Sequence, residues 1–290
     1  MKTPLDRRLF LKSTGLSLAT AAVPALTAGA SRAQAGELTG RLKKAAGLGM
    51  VQGNLSTEDK FRLLKDAGFD GVEVPTRSRG SALDTKAVAR ASDKVELPVH
   101  GVVNASHPDI KAAINEALVY NANSVLHVVS SNQSSSFREH YRQTQNTIRR
   151  AIPYAEKNEV YILIENVWAS FLIEPLTMAR YIDELDSPYV KAYFDIGNVV
   201  RWGCPHQWIE VLGKRIVKLH AKEYNLTAAM NEGMAKGFNF PLGKGSIDWA
   251  KVRKELLAID YRGWVTAEVR GGDRDRLADI ARQMDHVLDL

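Results

Sequence analysis

Eight short apolar runs alternate with amphipathic segments along the chain, and this alternation restricts the fold more than any other feature. Each run has the length of a buried strand, and the segments between them repeat apolar residues at helical spacing. Eight β/α units in about 250 residues are what a closed (β/α)₈ barrel requires, whereas an open doubly wound sheet rarely has so many. The pattern therefore predicts one α/β domain, a TIM barrel, with strands at 47–51, 71–74, 97–103, 124–129, 160–164, 190–194, 216–219 and 264–267.

Local signals predict where several helices and loops lie. Ser56 is placed to cap the first helix, one long helix is expected over 137–158, and Ser246 is expected to cap a later helix. The stretch 225–245 is rich in Gly, Asn and Met and is expected to be an irregular loop after the seventh strand, where barrels carry functional loops. The lysine pair at 43–44 is interpreted as a solvated stretch before the barrel.

The N-terminal segment 1–35 has the pattern of an export signal. Arg7 and Arg8 stand before Leu-Phe-Leu-Lys, a weakly apolar stretch follows, and small residues end at Ala35. A basic start, a short apolar region and an A-x-A end indicate a cleaved signal peptide, and the paired arginines resemble the twin-arginine type. We expect the mature domain to be 36–290, to be periplasmic or secreted, and to keep no stable membrane anchor after cleavage.

The charge argues against a nucleic-acid partner, and the cysteine content excludes cysteine-based sites. The chain has 39 Lys+Arg and 33 Asp+Glu, of which five cations and one anion lie in residues 1–35. The rest of the chain therefore has 34 and 32, a formal charge of only +2, which argues against a nucleic-acid partner. The single cysteine, Cys204, excludes an internal disulfide and a cysteine-based zinc cluster.

Four consecutive apolar runs end in a residue that can bind a metal. These residues are Glu165, Asp195, His220 and Glu268. Since all strands of a parallel barrel end at one rim, the four side chains are expected to converge there. Three carboxylates and one imidazole at low dielectric require a compensating cation, and the oxygen-rich set suits Mn²⁺ or Mg²⁺, with Co²⁺ or Zn²⁺ as substitutes. Glu73, at the end of the second run, is interpreted as a rim or structural carboxylate.

Further polar and aromatic residues follow these strands and are candidates for ligand contacts at the same rim. His100 and His127 lie in or after the third and fourth runs and could contact hydroxyl groups or serve as buried core residues. Asn198 and Lys222 lie just beyond metal-ligand strand ends and are predicted to contact substrate. Trp168, after the fifth run, could stack on a ligand or pack in the protein.

These strand ends, together with the segment 241–249 (Pro-Leu-Gly-Lys-Gly-Ser-Ile-Asp-Trp), resemble the xylose isomerase-like barrel superfamily. The branch that the chain resembles is the sugar phosphate isomerase/epimerase group, which includes ketose 3-epimerases and hydroxypyruvate isomerases. The resemblance implies that the four strand-end residues bind one divalent ion. It also implies that Glu165 and Glu268 act as the acid/base pair.

The chain departs from the epimerase pattern at two positions. Asn198 stands three residues after Asp195, where the family commonly has a substrate-binding histidine. After the metal-binding histidine come Lys222 and then Leu226, where epimerases have an arginine. The standard ketose epimerase substrate is therefore not the expected one.

The ligand set predicts proton transfer next to a carbonyl group. A divalent ion chelated by a hydroxy-carbonyl sugar acidifies the C–H bond between the oxygens and stabilises the enediolate. We expect a metal-dependent isomerase or epimerase of an unphosphorylated sugar or keto-sugar, because no phosphate-binding fingerprint is present.

Other functions are compatible with the same sequence. A lyase or hydratase of 3-keto-glycosides would use an identical metal site. A barrel that binds carbohydrate without turnover, and a relative of abasic-site endonucleases, are further alternatives. Assembly into a homo-oligomer is also compatible with the sequence.

Overall fold

A computed structural model describes residues 36–77, 80, 82–130, 134–168 and 171–290. The predicted signal peptide lies outside these residues and remains a prediction. In the described part of the chain, none of the helices combines the length and apolarity needed to cross a membrane.

Eight parallel strands close into a barrel in which each strand pairs with its neighbours in chain order and β8 pairs with β1. The strands are β1 (Leu42–Gly47), β2 (Gly71–Pro75), β3 (Val99–Ala105), β4 (Ser124–Val128), β5 (Tyr161–Glu165), β6 (Val190–Asp195), β7 (Ile216–Ala221) and β8 (Gly263–Ala267). The predicted single (β/α)₈ barrel is confirmed.

The described helices follow the strands and cover the barrel. They are α1 (Thr57–Asp66), α2 (Thr85–Val95), α3 (Ile110–Val119), α4 (Phe137–Arg149), α5 (Ile152–Lys157), α6 (Pro175–Asp183), α7 (Pro205–Leu212), α8 (Leu226–Glu232), α9 (Trp249–Ala258) and α10 (Arg274–Leu288). The Ser56 side chain accepts a hydrogen bond from the Asp59 N–H, so the predicted cap of α1 is confirmed. The main apolar core lies between strands and helices, and a smaller cluster of Leu126, Leu163 and Tyr193 fills the barrel.

The first strand lies five residues earlier than the sequence predicts. Residues 48–50 form a 3-10 turn at the rim, and β1 instead runs through Leu42–Gly47. Its apolar signal is weak because its buried central residues, Ala45 and Ala46, are small and lie on opposite faces of the strand. The lysines beside them are held at the outer edge, Lys44 by an ion pair with Asp285 at 2.5 Å.

Three other local predictions are wrong for identifiable reasons. The long helix breaks at Ala151 into α4 and α5, because Pro153 has no N–H to continue the ladder. Asp248 caps α9, while the hydroxyl of Ser246 accepts a hydrogen bond from the Leu226 N–H at 2.9 Å. The expected irregular loop contains α8 and a 3-10 turn over Met234–Phe238.

Candidate metal centre

Four side chains converge at the carboxyl ends of the last four strands. Glu165 and Asp195 are the final residues of β5 and β6. His220 lies one residue before the end of β7 and is paired with Asp195 across the sheet, and Glu268 directly follows β8. One potential ligand atom from each of the four lies within 4.8 Å of all the others. The structure thus brings together the four residues predicted to bind a metal.

His220 lies at the centre of this group. Its Nδ1 atom is 2.9 Å from Oε1 of Glu165, 3.5 Å from Oε2 of Glu268 and 3.9 Å from Oδ2 of Asp195. Oδ2 of Asp195 is buried and its neighbour is the ammonium group of Lys222 at 2.9 Å, so this oxygen already faces a cation. Three hard oxygen donors and one imidazole nitrogen fit a divalent ion such as Mn²⁺ or Mg²⁺.

Glu73 holds the far side of the His220 ring. Its Oε2 atom lies 2.9 Å from Nε2 of His220, and both side chains are 4% exposed. A carboxylate that accepts a hydrogen bond from Nε2 fixes the orientation of the ring and leaves Nδ1 free to face a metal. Glu73 is therefore a structural carboxylate that lies inside the barrel, against the candidate metal ligand His220.

The crowded charges perturb the protonation of the cluster. Burial would lower the pKa of His220, but the carboxylates of Glu268 and Glu73 raise it well above its ordinary value. Burial raises the pKa of Asp195 to about 7; the charges of Glu268 and Glu165 add to this, and Lys222 opposes it. The cluster has more negative charge than its surroundings neutralise, which is the electrostatic condition for binding a cation.

Lys222, the residue directly after β7, enters the same cluster. Its Nζ atom lies 2.9 Å from Oδ2 of Asp195 and 2.5 Å from Oε2 of Glu268. The side chain is 14% exposed, and the ammonium group stands 5.3 Å from the centre of the Phe238 ring. Burial acts to lower the pKa of Lys222, but the charges of Asp195 and Glu268 raise it, so the group is cationic.

A cavity of about 550 Å³ opens at this rim and brings most of the predicted site residues together. The polar and aromatic residues in its wall include Glu73, Glu165, Trp168, Asn198, His220, Lys222, Phe238, Thr266 and Glu268. Glu165 is 7% exposed, whereas the side chain of Glu268 is 48% exposed. The two carboxylates therefore meet the cavity in different environments.

His100 and His127 are not in the wall of this cavity. His100 lies deeper in the barrel, stacked on Trp264 at 4.6 Å, with Nε2 paired to the Thr266 hydroxyl at 3.0 Å. His127 is buried in β4, and burial lowers its pKa to about 4. Both have the surroundings of core histidines, the second of the two roles that the sequence left open.

Asn198 and Trp168 line the cavity and also support Asp195. The Asn198 backbone N–H donates to Oδ1 of Asp195 at 2.8 Å, and its side-chain amide donates to the Asn166 carbonyl at 2.9 Å. The Trp168 indole N–H donates to the Asn198 carbonyl at 2.7 Å. These bonds fix the direction of the Asp195 carboxylate and leave the Trp168 ring available at the wall.

Sequence reasoning gave Glu73 no partner and missed Glu223, although both glutamates lie next to residues of the site. Glu73 interrupts an apolar run, and that interruption was the available signal. Glu223, three residues after His220, is fully buried and binds the loop before α9, with its Oε2 atom accepting from the Gly243 N–H at 2.7 Å. Its position in the turn after β7 carries no periodic signal.

Comparisons with known proteins agree with this geometry. Residues 61–290 match the family described as xylose isomerase-like TIM barrel. SgbU of Escherichia coli strain K12, named for L-ribulose-5-phosphate 3-epimerase activity, is 24% identical over 237 residues. The matched region covers 72% of this chain and 82% of SgbU.

Solved structures show the same fold at low identity. D-allulose 3-epimerase from Methylomonas sp. superposes with a TM-score of 0.70 at 16% identity, covering 86% of this chain and 98% of the other. The 3-keto-D-glucoside 4-epimerase YcjR from E. coli superposes with a TM-score of 0.69 at 16% identity, covering 85% and 98%.

Proposed function

The chain belongs to the xylose isomerase-like TIM barrel family, and on that premise we propose that it is a divalent-metal-dependent isomerase or epimerase of an unphosphorylated keto-sugar. The observation that carries this proposal is the convergence of Glu165, Asp195, His220 and Glu268 within 4.8 Å. These residues would hold the ion, for which we propose Mn²⁺. Two of them also face the cavity as carboxylates able to move a proton.

The chemistry proposed for the site is proton transfer between substrate carbon and two glutamates. A divalent ion held there supplies a Lewis acid that polarises the carbonyl and hydroxyl oxygens of the sugar. One carboxylate, Glu165 or Glu268, takes the proton from the carbon beside the carbonyl, and the C–H electron pair moves toward the carbonyl oxygen. The other, as a carboxylic acid, returns a proton to that carbon from the opposite face, which gives the epimer. Return of a proton to the former carbonyl carbon, with transfer of the hydroxyl proton from the adjacent oxygen to the former carbonyl oxygen, gives the isomer.

The charges of the cavity wall support a substrate without phosphate. Lys222 is the only lysine or arginine that the described wall of the 550 Å³ cavity contains, and its ammonium group is engaged by Asp195 and Glu268. A phosphate dianion in this cavity would meet three carboxylates and a single lysine, without the several Lys, Arg or backbone N–H donors that bind phosphate groups. Turnover confined to sugar phosphates, such as ribulose 5-phosphate, would contradict this part of the proposal.

Isotope exchange tests the proposed reaction directly. The Mn²⁺-loaded protein is incubated in D₂O with a panel of free ketoses, aldoses, sugar phosphates and 3-keto-glycosides, and products are examined by NMR and mass spectrometry. We expect deuterium at one carbon adjacent to a carbonyl, together with an epimer or isomer. Absence of deuterium from every sugar, with the metal bound, would contradict the proposed activity.

A second cavity favours a second candidate function, a lyase or epimerase of 3-keto-glycosides. This cavity, of about 430 Å³, shares Phe238 and Val269 with the first and is lined by Phe240, Arg270 and Arg276. Aromatic faces and guanidinium donors are suited to a second sugar ring or another aglycone. In a lyase the base takes the same α-proton, the β C–O bond breaks and the departing oxygen is protonated by the acid. Release of the free aglycone from a 3-keto-glycoside identifies this outcome.

We also propose that the chain is exported by the twin-arginine route and cleaved after Ala35. The support is the pattern of paired arginines, apolar stretch and small residues in segment 1–35. N-terminal sequencing of the exported protein should begin at Gly36, and Arg7→Lys/Arg8→Lys should retain the precursor inside the cell. Export of that double variant at the normal level would contradict this route.

A further inference from the structure

The ammonium group of Lys222 contacts two carboxylates of the candidate metal centre, as a bound metal ion would. Nζ is 2.9 Å from Oδ2 of Asp195 and 2.5 Å from Oε2 of Glu268. These two oxygens are also 3.9 Å and 3.5 Å from Nδ1 of His220, the nitrogen that faces the same space. One cationic group is therefore in contact with two of the four side chains of the candidate metal centre.

Asp195 has only one oxygen to offer. Its Oδ1 atom accepts the backbone N–H of Asn198 at 2.8 Å, inside a buried set of bonds that also includes the Asn166 side chain. Oδ2 is left as the atom for a cation, and Lys222 contacts that atom. An ammonium group and a divalent ion cannot both take the same lone pairs at bonding distance.

The backbone is shaped to admit the lysine side chain. Gly197 lies against it so closely that a Cβ atom there would be 2.3 Å from Cγ of Lys222. Any larger residue at 197 would displace the lysine or the turn after β6. The position of Lys222 is thus fixed by packing along its stem as well as by the charges at its tip.

We propose that Lys222 and the divalent ion compete for Oδ2 of Asp195 and Oε2 of Glu268, so that metal binding moves the lysine ammonium group off the carboxylates. This inference rests on the metal site of the proposed function. The lysine acts as a tethered cation that weakens the apparent affinity for metal, because only the fraction of molecules with Lys222 displaced is competent to bind. The displaced amine stays at the cavity wall, where it can contact a substrate oxygen.

Substitution of the lysine gives the first test. Lys222→Met keeps the apolar stem and removes the charge. Its control is Lys236→Met, an exposed lysine in the Met234–Phe238 turn, which reports the long-range effect of losing one charge near the site. Mn²⁺ affinity is measured by competition with a chromogenic chelator. We expect Lys222→Met to bind Mn²⁺ at least about tenfold more tightly than wild type, and Lys236→Met to stay within about twofold.

Chemical labelling of the wild-type protein gives a second test that does not depend on the variant folding. Lysines are acetylated with acetic anhydride with and without saturating Mn²⁺, and modification is counted by mass spectrometry. We expect labelling of Lys222 to rise several-fold with Mn²⁺ while labelling of Lys236 stays constant.

The outcomes separate this inference from the proposed function. Equal Mn²⁺ affinity in wild type and Lys222→Met, or Lys222 labelling that Mn²⁺ leaves unchanged or lowers, would overturn the competition and leave the metal site standing. Failure of both proteins to bind Mn²⁺ would overturn the competition and the proposed metal site together.

Discussion

The single buried carboxylate of Glu223 and the cluster formed by Glu165, Asp195 and Glu268 differ in the groups that neutralise them. Glu223 lies in the turn after β7, is fully buried and accepts hydrogen bonds from four N–H groups. The donors are the backbone of Tyr224 at 3.2 Å, of Gly243 at 2.7 Å and of Ile247 at 3.3 Å, and the Trp249 indole at 3.0 Å. Neutral donors of this kind can hold a carboxylate without a counter-ion.

The carboxylates of Glu165, Asp195 and Glu268 at the rim are instead held mainly by charged partners. Glu165 and Glu268 face His220 and Lys222, which are charged partners, and Asp195 receives one backbone N–H on one of its two oxygens. Acceptors outnumber neutral donors here, so the partners of these carboxylates are the cationic side chains of His220 and Lys222, which neutralise only part of the negative charge. The difference teaches that burial alone does not identify a functional carboxylate; the nature of the donors around it does.

Neutralising the acid/base candidates should have the largest effect. Glu165→Gln and Glu268→Gln should each lower kcat by about 10²- to 10⁴-fold, the usual contribution of a positioned acid or base. The melting temperature of the metal-free protein should be unchanged or raised, because one of several crowded carboxylates is removed. Steady-state kinetics on the substrate found by isotope exchange, with thermal melting as the control for folding, checks both parts. Wild-type kcat in either variant would remove that residue from the chemistry.

For Glu223 we expect substitution to lower stability and to leave the metal site nearly unchanged. Glu223→Gln presents an NH₂ group to about half of its four N–H donors, and two unsatisfied buried donors cost about 4 kcal/mol of the free energy of unfolding. Mn²⁺ affinity of the folded protein should stay within a few-fold of wild type. Urea denaturation and chelator competition measure the two quantities. A large loss of Mn²⁺ affinity with normal stability would break the distinction between the two groups.

The barrel and the four rim residues could be predicted because both follow from short-range pattern. Strand ends are read from apolar runs, and a parallel barrel brings successive ends to one rim. The first strand was misplaced because Ala45 and Ala46 contribute little apolar signal beside Lys43 and Lys44. Long-range contacts were beyond the pattern: no spacing relates Glu73 on β2 to His220 on β7, which meet across the barrel interior.

The same limit explains the side chains whose role was left open. Lys222 was predicted to contact substrate because it follows a ligand by two residues, yet its ion pairs depend on the path of its stem past Gly197. For His127 the sequence could not decide between core and cavity, since that depends on which way β4 turns its faces.

A buried residue away from the cavity, His127, should make the stability of the protein depend on pH in the acid range. Its pKa is lowered to about 4 by burial, against about 6.5 in an unfolded chain. Between these values the unfolded state binds the extra proton, so stability is lost as pH falls from about 6.5 to 4, by about 3 kcal/mol. Urea denaturation across this range should show a steeper loss in wild type than in His127→Gln. Parallel curves would show that His127 is not held neutral by the core.

The smallest expected effect concerns Glu73. This carboxylate is buried, as Glu223 is, but its partner is His220 of the candidate metal centre. Glu73→Gln keeps a hydrogen bond to Nε2 of His220 and removes the charge that orients the ring. We expect Mn²⁺ affinity to fall about 10- to 100-fold, as when the outer partner of a ligating histidine is changed. Glu232→Gln, an exposed glutamate at the end of α8, is the matched control. Unchanged Mn²⁺ affinity in folded Glu73→Gln would mean that the 2.9 Å contact with Glu165 and the surrounding packing orient His220 unaided.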